Sequence, residues 1–241
     1  MKTPPRQSVL AILHPLFKWL LLAFACGCVN TGGYLACHRF VSHVTGFATL
    51  LGLNLGRRQW LEAVAVMTVP LYFIAGSMFT AWIVERRIQR GTNPHYALPL
   101  SVAGALLVLA AIGGSAGSFH AFGGEAELGS DYVLIVTLCL SCGIQNAAVT
   151  VGTGTILRSS HLTGTTTDLG TGLVRLLCMP TGSVERHLEY RFNCMRAATI
   201  AFFVAGAIAG AYIFPRWEYA GFWAPALIVF GVAAGLARKK I

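Results

Sequence analysis

The sequence predicts an all-α membrane protein: six transmembrane helices forming two inverted three-helix repeats, each carrying a Thr/Gly-rich segment that is broken or re-entrant. Three observations predict it. Charged residues make up 11% of the 241-residue chain and hydrophobic ones 55%, whereas a soluble domain is about a quarter charged. Six runs approach the ~20 apolar residues that a membrane span needs. Two polar segments 118 positions apart repeat each other.

The six runs are residues 17–36, 61–84, 97–114, 132–151, 197–214 and 220–236. Lys2, Arg6 and Lys18 precede an apolar stretch ending near Cys28, in the manner of a signal peptide. With five more apolar runs downstream, a retained span is the expectation. Pro70 is expected to kink the second span. Residues 115–131 are Gly-rich and carry Glu125, Glu127 and Asp131, which reads as an exposed loop between halves. The seven cysteines sit mostly in apolar runs, as small hydrophobes do, and their odd number argues against a secreted disulfide framework. Cys139 and Cys142 have redox-pair spacing but no redox-fold context.

Residues 38–56 and 153–178 are rich in Thr, Gly and His. Aligned on His43 and His161, they share His43/His161, Thr45/Thr163, Gly46/Gly164, Thr49/Thr167, Leu51/Leu169, Gly52/Gly170, Leu55/Leu173 and Arg57/Arg175, eight of fifteen positions. Upstream, Cys26-Gly27-x-x-Asn30 matches Cys142-Gly143-x-x-Asn146. Ordered identities inside equivalent spans indicate an internal duplication. The expected divisions are a tail (1–16), a first repeat (17–116), a linker (117–130), a second repeat (131–237) and a basic tail (238–241).

The net charge of +9 comes from basic clusters between apolar runs, at 85–90, 186–196 and 238–240. Three spans per half place all three clusters on one side and the acidic linker on the other, with Arg57 and Arg58 as exceptions. That agrees with the positive-inside rule and predicts an inner-membrane protein with both termini cytoplasmic. No interleaved basic and aromatic surface points to nucleic acid.

Irregular Gly/Thr-rich backbone survives at membrane depth only where protein or a watery cavity surrounds it. Inverted-repeat transporters build midplane sites from such breaks. The candidate solute-lining residues are therefore Asn30, Thr45, Gly46, Asn146, Thr163, Gly164 and Asp168. His43 and His161 are candidates for gating or proton coupling, since imidazole titrates near neutral pH; His38 lies in the same constellation. Asp168 replaces Leu50 of the first half, so the repeat itself does not require it. An ionisable group at that depth is a functional candidate or the partner of Arg158 or Arg175. Arg57 and Arg175 either hold an anion or snorkel to headgroups. For each Thr and Gly the competing role is close helix packing. Gly206-x-x-x-Gly210 and Gly231-x-x-x-Gly235 read as internal packing, with a homodimer face as the lesser alternative. No Walker loop, zinc-protease helix or dinucleotide fingerprint is present. Neither catalytic residue, metal nor cofactor is expected.

The segments Asn30, Gly33-Tyr34-Leu35 and Phe40-Val41-Ser42-His43-Val44-Thr45-Gly46, with Gly143-Ile144-Gln145-Asn146-Ala147-Ala148 and Leu162-Thr163-Gly164-Thr165, resemble the YoaK-like (UPF0700-type) family of bacterial multi-span membrane proteins. The resemblance runs from about Leu20 to Leu236. That family usually carries Asp where this chain has Asn30, and Asn where it has Phe47. The resemblance implies a multi-pass inner-membrane protein and no established activity. The functional expectation is a small-solute permease taking a polar or anionic solute. A non-transporting scaffold or sensor is the alternative, followed by an intramembrane enzyme using His43, His161 and Asp168.

Overall fold

The computed structural model describes residues 16–124 and 128–238. Residues 1–15 of the expected N-terminal tail, Glu125, Glu127, Lys239 and Lys240 thus lie outside the described residues. Among those described are α1 (Leu16–Cys37), α2 (Val44–Gly56), α3 (Trp60–Gln89), α4 (Ala97–Ser115), α5 (Leu128–Gly152), α6 (Leu162–Cys178), α7 (Val184–Trp217), a 3-10 turn (Glu218–Phe222) and α8 (Trp223–Ala237). No strand occurs among them. Five stretches are long and apolar enough to cross a membrane: Leu16–Cys37, Trp60–Gln89, Ala97–Ser115, Asp131–Gly152 and Val184–Ala237. The last, of 54 residues, holds both α7 and α8. The chain is all-helical and built as a multi-span membrane protein. Exposed Leu61, Leu71, Ile74, Met78 and Trp82 along α3 form a surface suited to lipid.

Three boundaries differ from expectation. The Ser183 hydroxyl accepts from the Arg186 amide at 3.2 Å, an N-cap that starts α7 at Val184. Residues 186–196 are therefore its first turns and not a loop. At the other end of the chain's third helix, α3 persists to Gln89, so most of the 85–90 cluster is helical too. Pro70 lies inside α3, which continues through it. The linker is less open than its composition suggests. Phe122 stacks on Phe214 at 6.2 Å, the Gly123 amide donates to the Ala36 carbonyl at 3.2 Å, and Asp131 is buried in the first turn of α5.

Helix directions follow from the contacts. Helices α1 and α5 are antiparallel. A Cβ on Gly152 would meet Trp19, the Cys26 thiol reaches Gln145 Oε1 at 3.7 Å, and the Cys139 thiol donates to the Val41 carbonyl at 2.9 Å. Helix α3 is parallel to α5: Thr68 bonds Tyr132 at 2.5 Å and the Thr80 hydroxyl donates to the Ile144 carbonyl at 3.1 Å. Helix α1 is likewise parallel to α7, from the Phe17–Phe202 edge contact at 6.2 Å to Gly32 against Phe214. Helices α4 and α8 are antiparallel, with Gly104 at Phe230 and Gly114 at Tyr219.

The packing pairs exchange between halves. Helix α1 packs on α7 as α5 packs on α3, and α2 lies on α3 as α6 lies on α7. Both long pairs cross at glycines. A Cβ on Gly27 would overlap the Phe203 carbonyl, and one on Gly206 the Phe24 carbonyl. In the other pair, Gly143 meets the Phe73 carbonyl and Gly76 the Leu140 carbonyl. The segments Phe73-Ile74-Ala75-Gly76 and Phe203-Val204-Ala205-Gly206, which match in sequence, carry these crossings. Gly206 and Gly210 are thus intramolecular packing residues against α1. Gly235 meets the Lys18 side chain, whereas Gly231 has open space around it.

One end of the bundle collects Lys18, which donates to the Gly235 carbonyl, the end of α3, Arg238 and the first turns of α7. Arg39 and Arg216 join Arg57 and Arg58 at the opposite end, four exceptions to the charge bias where two were expected.

Candidate functional site

The site is built by two chain reversals. Helix α1 continues seven residues past Asn30, about 10 Å, and ends at Cys37. His38 takes the left-handed conformation (φ 53°), which terminates a helix. The chain then doubles back, because Ser42 returns to Asn30. Asn30 Oδ1 accepts from the Ser42 hydroxyl at 2.9 Å and from its amide at 3.3 Å. Helix α5 repeats the construction. It runs six residues past Asn146, turns through left-handed Gly154 and Thr155 (φ 59° and 69°), and brings the Ser160 amide to Asn146 Oδ1 at 3.4 Å. Thr153 braces this second turn, donating to the Val149 carbonyl at 2.7 Å and accepting from the Leu157 amide at 3.1 Å.

Helices α2 and α6 start immediately after these returns. They hold 13 and 17 residues, about 20 and 26 Å, short of the ~30 Å hydrocarbon thickness. Their N-caps are His43 and His161, and neither side chain caps the helix. The first amides of each helix are therefore left without side-chain acceptors.

Both helix starts open on one cavity of about 570 Å³. Its wall includes Ser42, His43, Val44 and Thr45 from the first reversal, and Arg158, Ser160, His161, Leu162 and Thr163 from the second. Phe73, Ser77 and Ala81 of α3 and Asn146, Ala147, Thr150 and Val151 of α5 complete it. The Arg158 guanidinium donates to His161 Nδ1 at 3.1 Å, which makes that nitrogen the acceptor and leaves the imidazole proton on Nε2.

Of the residues singled out from sequence, the cavity gathers Thr45, Asn146, Thr163, His43 and His161. Four do not line it. Asn30 is buried and spends its carbonyl oxygen on Ser42. Gly46 sits in the first turn of α2 and is not on the wall. Gly164 leaves room for the His161 ring, which a Cβ there would strike. Asp168 is exposed further along α6 and meets neither expected arginine. Arg175 instead pairs with Glu189 at 3.5 Å, and Glu189 also holds Arg196 at 3.0 Å. The sequence reading missed Ser42, Ser160, Ser77, Thr150 and Arg158 as site residues. The first two were legible, since Ser42 aligns with Ser160 one position before the matched histidines. Ser77 and Thr150 carry no repeat signal.

The comparisons bear on this architecture as a whole. The family model described as "Protein of unknown function (DUF1275)" matches residues 19–235. The chain belongs to the DUF1275 family. It is also similar to the UPF0700 transmembrane protein YoaK of Bacillus subtilis (strain 168), 28% identical over 214 residues, covering 88% of this chain and 89% of that protein. No solved structure matches the chain. The YoaK-like resemblance and the multi-span membrane architecture both hold for this DUF1275 protein. The matched stretch contains both reversals and every residue of the cavity wall.

Proposed function

We propose that this protein is a small-solute permease of the inner membrane, with both termini cytoplasmic and two inverted three-span repeats around a shared site. One observation carries the reading: two uncapped half-helix starts, His43–Thr45 and His161–Thr163, open on the same cavity. In membrane proteins, interrupted helices whose positive ends meet polar solutes are the working parts of alternating-access carriers. The antiparallel α1/α5 pair, the exchangeable packing map and the re-entrant shape of each reversal support an inverted duplication. Basic residues gathered at one end support the proposed orientation. Thr45, Asn146 and Thr163 are assigned to the solute path, with His43 and His161 at its gates.

The test is a thermal-shift panel of anions, amines, sugars and nucleobases on purified protein, followed by uptake of any hit into proteoliposomes. A ligand at one hundred times its dissociation constant stabilises by about 2.7 kcal/mol. Saturable uptake lost in both Thr45→Val and Thr163→Val, with folding intact, supports the permease. Undiminished uptake in both removes the cavity from the path.

The scaffold reading rests on Gly231, whose open surroundings beside exposed Leu227 leave part of α8 free for another helix. The enzyme reading is weaker, because Asp168 is off the wall shared by His43 and His161.

A further inference from the structure

We infer that the cavity takes a small organic anion whose acidic group docks at Arg158; this rests on the permease reading for its purpose but not for its chemistry. Arg158 lies on the wall, in the reversal between α5 and α6. Its partner is a neutral acceptor, His161 Nδ1, and among the described residues no carboxylate pairs with it. None of the lining residues is Asp or Glu. Arg158 is exposed, so its guanidinium is open to a solute that enters the cavity. An ammonium or other cation would find no counter-charge on this wall.

The surroundings favour the same sign. Thr163 and Leu162 open α6 beside Arg158, and Val44 and Thr45 open α2 across the cavity. Each helix start adds partial positive charge with amides that no side chain caps. Asn146, Ser160 and Thr150 supply further hydrogen-bonding groups. The rest of the wall, with Phe73, Ala81, Ala147 and Val151, is apolar. A volume of about 570 Å³ falls in the range of small-molecule sites, roughly 300–1,000 Å³, and far exceeds a bare halide. An anionic head on an apolar or mixed body fits both features.

The charge is also one-sided. Position 158 corresponds to Phe40 in the first half, and Phe40 stacks on Tyr34 at 4.5 Å without lining the cavity. The duplication therefore does not require a cation here. A single cationic pole near α6 orients the solute, its acidic group toward the second reversal.

Matched carboxylate and carboxamide probes test this: benzoate against benzamide and succinate against succinamide, at millimolar concentration. Binding is read by calorimetry on the full-length purified protein, and flux by counterflow in proteoliposomes. The carboxylates are expected to bind and their amides not to. Arg158→Gln should weaken carboxylate binding at least about tenfold, and Arg158→Lys should restore part of it by keeping the charge without the bidentate fork. Equal binding of amides and carboxylates overturns the inference, as does unchanged carboxylate binding in Arg158→Gln, or no carboxylate binding by folded wild type. Flux of a neutral or cationic solute that Thr163→Val blocks sinks the anion and leaves the permease. Carboxylate binding that depends on Arg158, with no flux, keeps the anion site and sinks the permease.

Discussion

Asn30 Oδ1 receives both donors of Ser42, the hydroxyl at 2.9 Å and the amide at 3.3 Å, and this contact folds the chain back along α1. Removing the acceptor strands two donors in a buried setting. Asn30→Leu is expected to cost about 1–3 kcal/mol, read as a lower thermal midpoint in detergent. Asn30→Asp supplies the same acceptor atom and should lose less. Holding Ser42 needs an oxygen, and either residue provides it. If Asn30→Leu unfolds at the wild-type temperature, the reversal is held by something else.

Two glycines on neighbouring helices should respond oppositely. Gly206→Val forces a side chain into the Phe24 carbonyl where α7 crosses α1, and a clash with backbone cannot be relieved by a rotamer change. A marked fall in midpoint or loss of folded protein is expected. Gly231→Val enters open space and should leave the midpoint unchanged. A stable monomer in the first case would disprove the close crossing. Altered oligomeric state in the second would favour the scaffold reading.

Sidedness is accessible through cysteine labelling. Five native cysteines are buried, and Cys178 and Cys194 are exposed. In a Cys178→Ser/Cys194→Ser background, Arg58→Cys and Arg87→Cys are expected to react from opposite sides of the membrane. Reaction from the same side would mean that α2 completes a crossing.

Thr163 and Asp168 separate wall from surface. Thr163→Val is expected to weaken solute binding about tenfold, since its hydroxyl stands on the cavity wall, with stability retained. Asp168→Asn should change binding less than twofold, since Asp168 is exposed and off the cavity wall. The reverse ranking would return Asp168 to the site.

Glu189 ties α6 to α7 through Arg175 and is braced within α7 by Arg196. The Arg175 side is half exposed, where such pairs contribute about 0–1 kcal/mol; the Arg196 side is more enclosed. Glu189→Gln should speed amide hydrogen exchange across α6 while leaving α1 and α5 protected. Unchanged exchange would mean that packing of Gly172 against Asn193 suffices.

Much of the architecture was legible because membrane burial writes itself into composition. The apolar runs fall within the long helices, the last beginning in the 3-10 turn. The segments rich in Thr, Gly and His are where α1 and α5 give way to short helices. Legibility stopped at side-chain destinations. Asp168 looked decisive by charge alone, yet its place on the exposed side of α6 follows from which face α7 covers. Arg158 looked like a counter-ion for that aspartate and instead stands on the cavity wall. Period and spacing cannot report either outcome.

By itself, then, the sequence determined the helical class, the membrane setting and the paired Thr-Gly elements, since each depends on local composition or on matches along the chain. Only the tertiary structure decided that Ser42 and Ser160 return to Asn30 and Asn146, that both helix starts share one cavity, and that Arg158 lines it without a carboxylate. Those are contacts between residues distant in sequence, set by how helices cross at Gly27, Gly76, Gly143 and Gly206, where the absence of a side chain lets backbones meet.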